Sequence, residues 1–154
     1  MIIRTARPGE AAALTALGLR SKAHWGYDAA FMARVAVELR WDEADLRSML
    51  VHVAERDGQV LGFSAVNPAT DPPELDALFV EPAAMGAGVG RALLAASRAA
   101  AAAGGIGELA IDSDPQAEPF YLREGARRAG EVRSPSTGRM LPRLVITCPA
   151  PPRA

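Results

Sequence analysis

The chain has 154 residues, 49% of them hydrophobic, which is the length and apolar fraction expected of one globular domain with a continuous core. The formal net charge is −1, with acids and bases mixed along the chain, so no basic stripe indicates a nucleic-acid partner; the single cysteine, Cys148, excludes an intramolecular disulfide and a thiolate-rich zinc site. His24 and His52 lack metal-ligand spacing, and neither a leader-like N-terminus nor a membrane-length apolar run is evident, so we expect a cytoplasmic protein without metal, nucleic-acid or membrane partners.

The first half of the chain predicts a strand, three helices and a hairpin. The expected elements, in chain order, are a strand at 2–6, helices at 11–19, 31–39 and 43–50, and strands at 51–55 and 60–66. The segment 21–28 breaks the helical pattern between the first two helices. Asp42 caps the third helix, with Asp45 as an imperfect capping-box partner. Asp57-Gly58 is a strong hairpin signal, which makes the two strands around it antiparallel.

The second half alternates strands and helices. The expected elements are strands at 74–80 and 106–112, helices at 89–103 and 116–124, and strands at 127–132 and 140–147. The helix between two strands indicates a parallel crossover. Asp114 and Pro115 are expected as N-cap and first residue of the last helix. Residues 1–148 are therefore predicted to form one domain, a mixed sheet with helices on both faces, and the proline-rich tail 149–154 is predicted to be disordered.

Alternating glycines lie at the turn between the strand 74–80 and the helix 89–103. Gly86, Gly88 and Gly90 let an anion approach the free N–H groups and the positive dipole end of that helix. Tight packing of helix on sheet is the structural alternative. A P-loop is excluded because the only lysine, Lys22, is far away; a dinucleotide fold, with Asp112 as its acidic residue, is a weaker alternative because the glycines are spaced G-x-G-x-G.

The stretch from Met85 to Gly90 resembles the acetyl-CoA-binding motif of the GNAT superfamily of N-acetyltransferases, Q/R-x-x-G-x-G/A, with Met85 at the Q/R position. The later stretch from Asp114 to Ala126 resembles the family's N-x-x-A-x-x-F-Y-x-x-x-G-F, with Asp114 in place of Asn and Ala126 in place of Phe. The order of elements also agrees. The resemblance implies the GNAT fold, an α/β (α+β) architecture with a mostly antiparallel sheet of six to seven strands and a central parallel pair that splays apart.

The same resemblance implies acetyl-CoA as co-substrate and assigns residues to it. The implied contacts are those of Leu78, Phe79, Val80, Gly86, Ala87, Gly88, Val89, Gly90 and Arg91, and of Asp114 at the usual Asn position. Tyr121 matches the tyrosine that acts as general acid in many relatives, since a phenol is protonated at neutral pH. A core aromatic beside Phe120 is the alternative for Tyr121.

Candidates for the general base and the acceptor site follow from strand alternation and from the break between the first helices. Asp76 and Asp112 are our preferred base pair, acting directly or through water, and Glu74 shares a strand face with Asp76. Solvated or structural carboxylates are the alternative. His24, Trp25 and Tyr27 are expected to form a substrate wall, or else to anchor a turn between helices.

The expected function is transfer of an acetyl group from acetyl-CoA to a primary amine of a small molecule or peptide, by direct attack in a ternary complex. The departures at Met85, Asp114 and Ala126 keep open a non-catalytic GNAT-fold module that binds acyl-CoA without turnover. A homodimer is compatible with the resemblance, because dimers are common among relatives.

Overall fold

The computed structural model describes residues 1–150, and the strands of this region form one seven-stranded sheet. They are β1 (Ile2–Thr5), β2 (Leu50–Arg56), β3 (Gln59–Asn67), β4 (Glu74–Val80), β5 (Glu108–Asp112), β6 (Arg127–Arg133) and β7 (Met140–Thr147). Their order is β1-β2-β3-β4-β5-β7-β6, and every neighbouring pair is antiparallel except β4 and β5. The prediction of a mixed, mostly antiparallel sheet with a central parallel pair is confirmed.

Helices cover both faces of this sheet, as expected. They are α1 (Ala11–Ala23), α2 (Ala29–Val35), α3 (Glu43–Ser48), α4 (Val89–Ala103) and α5 (Glu118–Arg123). On one face, Leu14 and Leu17 of α1 pack in a core with Phe63 of β3. On the opposite face, Leu93 of α4 packs with Ala54 of β2. Within residues 1–150, no helix is both long and apolar enough to cross a membrane.

Local hydrogen bonds explain where the helices begin, and they correct one prediction. The Asp42 side chain accepts from the Asp45 N–H while the Asp45 side chain accepts from the Asp42 N–H, so the predicted capping box is present. The helix predicted to start beyond Asp114 starts instead at Glu118. The Asp114 carboxylate accepts from the Gln116 N–H at 2.8 Å, which forms a turn before the helix, and Pro119 occupies its first turn.

The first helix extends further than predicted. It ends at Ala23, so Ser21 and Lys22 lie on its last turn and are buried. The chain then turns at Gly26, which has a φ of +85°. The helical backbone therefore directs Lys22 inward.

The parallel strands β4 and β5 separate almost at once. Their register contains a single pair, Glu74 with Ala110, and the Ala110 N–H donates to the Pro73 carbonyl oxygen at 2.9 Å. Beyond this pair the main chain of β4 from Leu75 onward has no strand neighbour on the β5 side within residues 1–150. The result is a cleft that opens toward the carboxyl ends of both strands.

A bulge in β4 lies at the base of this cleft. Ala65 of β3 is opposite Ala77, whereas Val66 is opposite Leu75, so Asp76 is the extra residue. Leu75 consequently packs in the core on the α4 face, while Ala77 packs in the core on the α1 face. The predicted tail, 149–154, falls largely on residues 151–154, which lie outside the described residues.

Candidate active site

A cavity of about 690 Å³ occupies the cleft between β4 and β5. One side is bordered by the turn before α4 and by α5, and we call this the cofactor side. The other is bordered by the end of α1, by α2 and by the loop between β6 and β7, and we call it the acceptor side. A cavity that joins two separately lined sides suits a reaction between two bound molecules.

The glycine turn on the cofactor side forms a cradle for an anion. Gly86 and Gly88 have φ values of +81° and +83°, and Gly88 is the N-cap of α4. A Cβ placed on either would meet nothing within 4 Å, so the space above both glycines is open. Within residues 1–150, no acceptor is found for the main-chain N–H groups of residues 86–91. These donors and the dipole of a fifteen-residue helix together favour a phosphate group.

The other residues of the turn contribute unequally. Gly90 lies against α5. A Cβ added at Gly90 would be 3.5 Å from Cζ of Phe120, which is an ordinary van der Waals contact. Arg91 lines the cavity with a side chain that is 79% exposed, and its Nε is 3.5 Å from Oε2 of Glu124. Val89 lines the cavity as well, whereas Ala87 does not. The end of β4, Leu78 to Val80, borders the same side.

Tyr121 is buried on α5 at the inner end of the cofactor side. Its ring packs edge-on against Phe120, with centroids 5.1 Å apart, in the core on the α4 face. Burial, and to a lesser extent the negative charge of Asp114, raise the pKa of Tyr121 well above its ordinary value. The phenol therefore keeps its proton at neutral pH. Tyr121 is at once a core aromatic and a residue that lines the cavity.

The predicted carboxylates gather on the acceptor side near the base of the cleft. Asp76 and Asp112 line the cavity, whereas Glu74 lies beside them outside its lining. Arg143 bridges two of the three, with Nη1 3.2 Å from Oδ1 of Asp112 and Nη2 3.3 Å from Oε1 of Glu74. Asp76 forms no ion pair within residues 1–150.

This difference in pairing separates the two aspartates electrostatically. Desolvation, followed by the charge of Glu74, raises the pKa of Asp76 to about 6. Partial burial also raises the pKa of Asp112, but the Arg143 guanidinium opposes that effect. Asp76 is therefore the stronger base of the pair, and at neutral pH it is still largely deprotonated.

Of the three aromatic residues predicted to form a substrate wall, the structure brings one to the cavity. Trp25 lines it and is 40% exposed. His24 is exposed, contacts the Trp25 ring edge-on and lies outside the lining. Tyr27 also lies outside the lining, where it stacks on Phe31 with centroids 4.1 Å apart. The position of Tyr27 matches the alternative expectation, in which these aromatic residues anchor the turn between two helices.

Asp114, expected to contact the cofactor, lines the cavity and is surrounded by donors of the protein itself. Its Oδ2 lies 2.6 Å from Nζ of Lys22 and 3.2 Å from Nη2 of Arg139, and the Tyr27 hydroxyl donates to it at 2.9 Å. Burial alone would raise the pKa of Asp114, but the hydrogen bond from Lys22, aided by those from the Gln116 N–H and Tyr27, holds it below the usual range. Asp114 is thus a permanent anion that joins three segments of the chain.

Lys22 and Arg139 are the site residues that sequence reasoning missed. Both line the cavity on its acceptor side. The sequence pattern places Lys22 in the break at 21–28 rather than on a helix, and the loop containing Arg139 carries no pattern. One sequence feature could have pointed to Lys22: it is the only lysine of the chain, and it lies three residues before Trp25, which is predicted to form part of the substrate wall.

The loop between β6 and β7 is tied to the segment after α2 and bounds the acceptor side. Oε1 of Glu38 accepts from the Ser136 N–H at 3.1 Å and from the Ser134 hydroxyl at 3.5 Å. Ser134 is itself buried. The contact holds the loop, and with it Arg139, against the body of the domain.

A family model described as an acetyltransferase (GNAT) domain matches residues 13–140, which is most of the chain. No curated protein matches the sequence significantly.

Solved structures show the same fold. A GCN5-related N-acetyltransferase from Rhodopseudomonas palustris aligns with a TM-score of 0.79 and 22% identity, over 95% of this chain and 94% of its own. The PaiA N-acetyltransferase from Thermoplasma acidophilum, in complex with coenzyme A, aligns with a TM-score of 0.80 and 16% identity, over 95% and 98%. YncA, a putative acetyltransferase from Salmonella typhimurium with its cofactor acetyl-CoA, aligns with a TM-score of 0.70 and 24% identity, over 100% of this chain and 98% of its own. These likenesses show the shared fold. The family model, which matches residues 13–140, establishes that the chain belongs to the GNAT acetyltransferase family.

Proposed function

We propose that this protein is an N-acetyltransferase that transfers the acetyl group of acetyl-CoA to a primary amine of a small molecule or peptide, by direct attack in a ternary complex. The observation that carries the proposal is the single cavity that joins the glycine cradle to Tyr121 and Asp76. A cofactor site alone would explain only binding, whereas the proton donor and the unpaired carboxylate beside it suit group transfer.

The residues on the cofactor side fit coenzyme A. The free N–H groups of residues 86–91 and the dipole of α4 suit a pyrophosphate, and no Cβ blocks it at Gly86 or Gly88. The edge of β4 from Leu78 to Val80 has main-chain groups without a β5 neighbour, which suits the amides of the pantetheine arm. Two proteins of the same fold contain coenzyme A or acetyl-CoA, which supports this assignment.

The protein's task is to move one proton from the amine and to supply one to the departing sulfur. Bound acetyl-CoA supplies an acyl group activated as a thioester. Asp76, with a pKa of about 6, accepts a proton from the amine nitrogen directly or through water. Asp112, neutralised in part by Arg143, stabilises the positive charge of the amine before that proton leaves.

Tyr121 is the proton donor of the proposed reaction. Its hydroxyl holds a proton throughout the neutral range because burial disfavours the phenolate. Tyr121 would give this proton to the sulfur as the carbon–sulfur bond of the thioester breaks, and the resulting phenolate would regain a proton from solvent or from the amine side.

A second candidate function is acyl-CoA binding without turnover. Asp114 favours it, because the carboxylate is already occupied by Lys22, Tyr27 and Arg139. Met85 also departs from the family motif.

Calorimetry and thiol release separate the two candidates. We expect the purified full-length protein to bind acetyl-CoA and to release coenzyme A when amines are added. Binding without release across amino acids, alkylamines, aminoglycosides and peptides would favour the binding module. Failure to bind acetyl-CoA would contradict both.

A further inference from the structure

Two cations and one carboxylate meet on the acceptor side of the cavity. The Lys22 side chain is 10% exposed and that of Arg139 is 26% exposed, and both contact Asp114. Glu38 also lines the cavity, but its Oε1 accepts from the 134–136 loop and it forms no ion pair with either cation. The cluster of Lys22, Arg139 and Asp114 therefore carries a net charge of +1, and such charge is unfavourable in a partly buried place unless an anion joins it.

Most of the hydrogen-bond donors of this cluster are unused. A guanidinium has five N–H donors, of which Arg139 uses one for the Tyr27 hydroxyl at 2.9 Å and one for Asp114 at 3.2 Å. Its Nε is buried, and no partner for it is found within residues 1–150. An ammonium has three donors, of which Lys22 uses one. The cluster offers donors in excess and has no free carboxylate left to accept them.

The arginine of this cluster is already held in place. Its Cζ lies 5.0 Å from the ring centroid of Tyr27 and 4.8 Å from that of Phe31. Stacking of this kind fixes the plane of the guanidinium and leaves its edge as the binding surface. A planar fork fixed in orientation is suited to a bidentate oxyanion.

The charge on the acceptor side changes sign over a short distance. Asp112 and Asp114 are two residues apart, so their Cα atoms are separated by at most about 7 Å. Asp112 is therefore adjacent to the cation cluster along the chain, and Asp76 lines the same cavity, so the two aspartates offer an amine a place in the cavity that holds the cations. A molecule with an amine at one end and an anion a few bonds away complements both.

We propose that the acceptor is a small amine that also carries an oxyanion, in the simplest case a carboxylate, and that Lys22 and Arg139 bind this group while Asp76 and Asp112 face the amine. The inference rests on the proposed function. It narrows the acceptor class to amino carboxylates and their phosphonate or phosphate analogues, and disfavours simple alkylamines and polyamines.

The test compares amines that differ only in the anionic group. The pairs are γ-aminobutyrate with n-butylamine, β-alanine with n-propylamine, and leucine with 3-methylbutylamine, and 3-aminopropylphosphonate tests the other oxyanion. Coenzyme A release at fixed acetyl-CoA gives kcat/KM for each. We expect the anionic member of at least one pair to exceed its neutral partner by at least about tenfold, the value of one or two charged hydrogen bonds.

Variants then assign the preference to the cluster. Arg139→Gln should reduce the ratio within the pair toward one, and Arg139→Lys should restore part of it. Arg133→Gln is the matched control, because Arg133 ends β6 next to the same loop, its side chain bonds only the Gly138 carbonyl within residues 1–150, and it lies outside the cavity lining. The wild-type ratios remain informative even where Arg139→Gln fails to fold, as circular dichroism would reveal.

The outcomes that overturn the inference differ from those that overturn the proposed function. Equal values within every pair, with the alkylamines acetylated, would refute the anionic acceptor and leave the acetyltransferase intact. A preference unchanged in Arg139→Gln, or an acetyl-CoA affinity that falls tenfold in that variant, would show that the cluster serves another purpose. Bound acetyl-CoA with no coenzyme A release from any amine would refute the enzyme itself.

Discussion

The Nζ atom of Lys22 lies 2.6 Å from Oδ2 of Asp114, and this contact joins the last turn of α1 to the segment between β5 and α5. The two side chains are only 10% and 9% exposed. Burying two charges is expensive, so the pair is weak evidence for stability but costly to break by removing one partner. Both residues line the cavity, so the pair fixes two segments that border it.

Asp114→Asn should therefore destabilise the fold by about 3 kcal/mol, because Lys22 then keeps a buried charge without its anion. Urea unfolding at pH 7 measures the change. The control is Arg20→Gln, which removes an ion pair with Glu81 from an arginine that is 53% exposed and should cost less than about 1 kcal/mol. Equal effects of the two variants would show that the Lys22–Asp114 pair is effectively solvated.

Asp76→Asn should remove the acid limb of the pH–rate profile. With a pKa of about 6, Asp76 gains a proton as the pH falls through that value, and kcat/KM should fall tenfold per pH unit below it. The variant should be slower at pH 8 and flatter between pH 5 and 7. Asp57→Asn, in the β2–β3 turn, is the control, since Asn tolerates the φ of +52° there. An unchanged limb in Asp76→Asn would assign the base to another group.

The same variant should raise stability, with a defined pH dependence. The folded-state pKa of Asp76 is above the ordinary value of 3.8, so folding favours its protonated form. Below pH 3.8, Asp76 is protonated in both the folded and the unfolded state, so it has no effect on the free energy of unfolding. As the pH rises from 3.8 to about 6, the unfolded state loses this proton first and the folded state becomes less stable; above about pH 6 the full loss is present. The Tm of Asp76→Asn should exceed that of the wild type at pH 8, and the two should converge near pH 3.5. A Tm of Asp76→Asn below that of the wild type at pH 8 would contradict a raised folded-state pKa for Asp76.

Tyr121→Phe should lower kcat by about a hundredfold with little loss of stability. No protein partner for the Tyr121 hydroxyl is found within residues 1–150, so its removal breaks no internal hydrogen bond. Acetyl-CoA affinity by calorimetry should stay within about twofold, since the ring remains. Tyr27→Phe is the converse control. It removes a hydroxyl that bonds Asp114 and Arg139 and should cost about 1–2 kcal/mol of stability. Retention of kcat in Tyr121→Phe would leave the leaving group to be protonated by water.

Much of the fold was accessible from local patterns. The limits of β4, α4 and β7 agree with prediction, because glycine, proline and apolar periodicity mark them clearly. The Asp114–Pro115 helix start failed because an Asx turn competes for the same carboxylate and Pro119 offers a second start. The bulge at Asp76 was not predicted, since it is a property of register between two strands rather than of one sequence segment.

The candidate site also contains residues that local patterns predict and residues that only the tertiary structure brings together. The glycine cradle and Tyr121 come from contiguous motifs with fixed spacing, which a single sequence can reveal. The cluster of Lys22, Arg139 and Asp114 joins positions 92 and 25 residues apart, so its members become neighbours only through tertiary packing. The acceptor selectivity that we propose therefore depends on the part of the site that sequence patterns do not reveal.

Gly88→Ala tests the anion cradle directly, and Gly58→Ala separates binding from strain. Both glycines have a left-handed backbone, with φ of +83° and +77°, and a Cβ on either would meet nothing within 4 Å. Each substitution should therefore cost a similar free energy of unfolding, about 1 kcal/mol, from the backbone conformation alone. Gly88 is the N-cap of α4, where the free N–H groups lie, and it lines the cavity, whereas Gly58 lies in the β2–β3 turn outside the lining. Calorimetry should show at least about a tenfold weaker acetyl-CoA affinity for Gly88→Ala and no change for Gly58→Ala, because the methyl group keeps the phosphate from charged hydrogen bonds. Equal affinities in the two variants would move the pyrophosphate away from this turn, and with it the orientation of the thioester toward Tyr121.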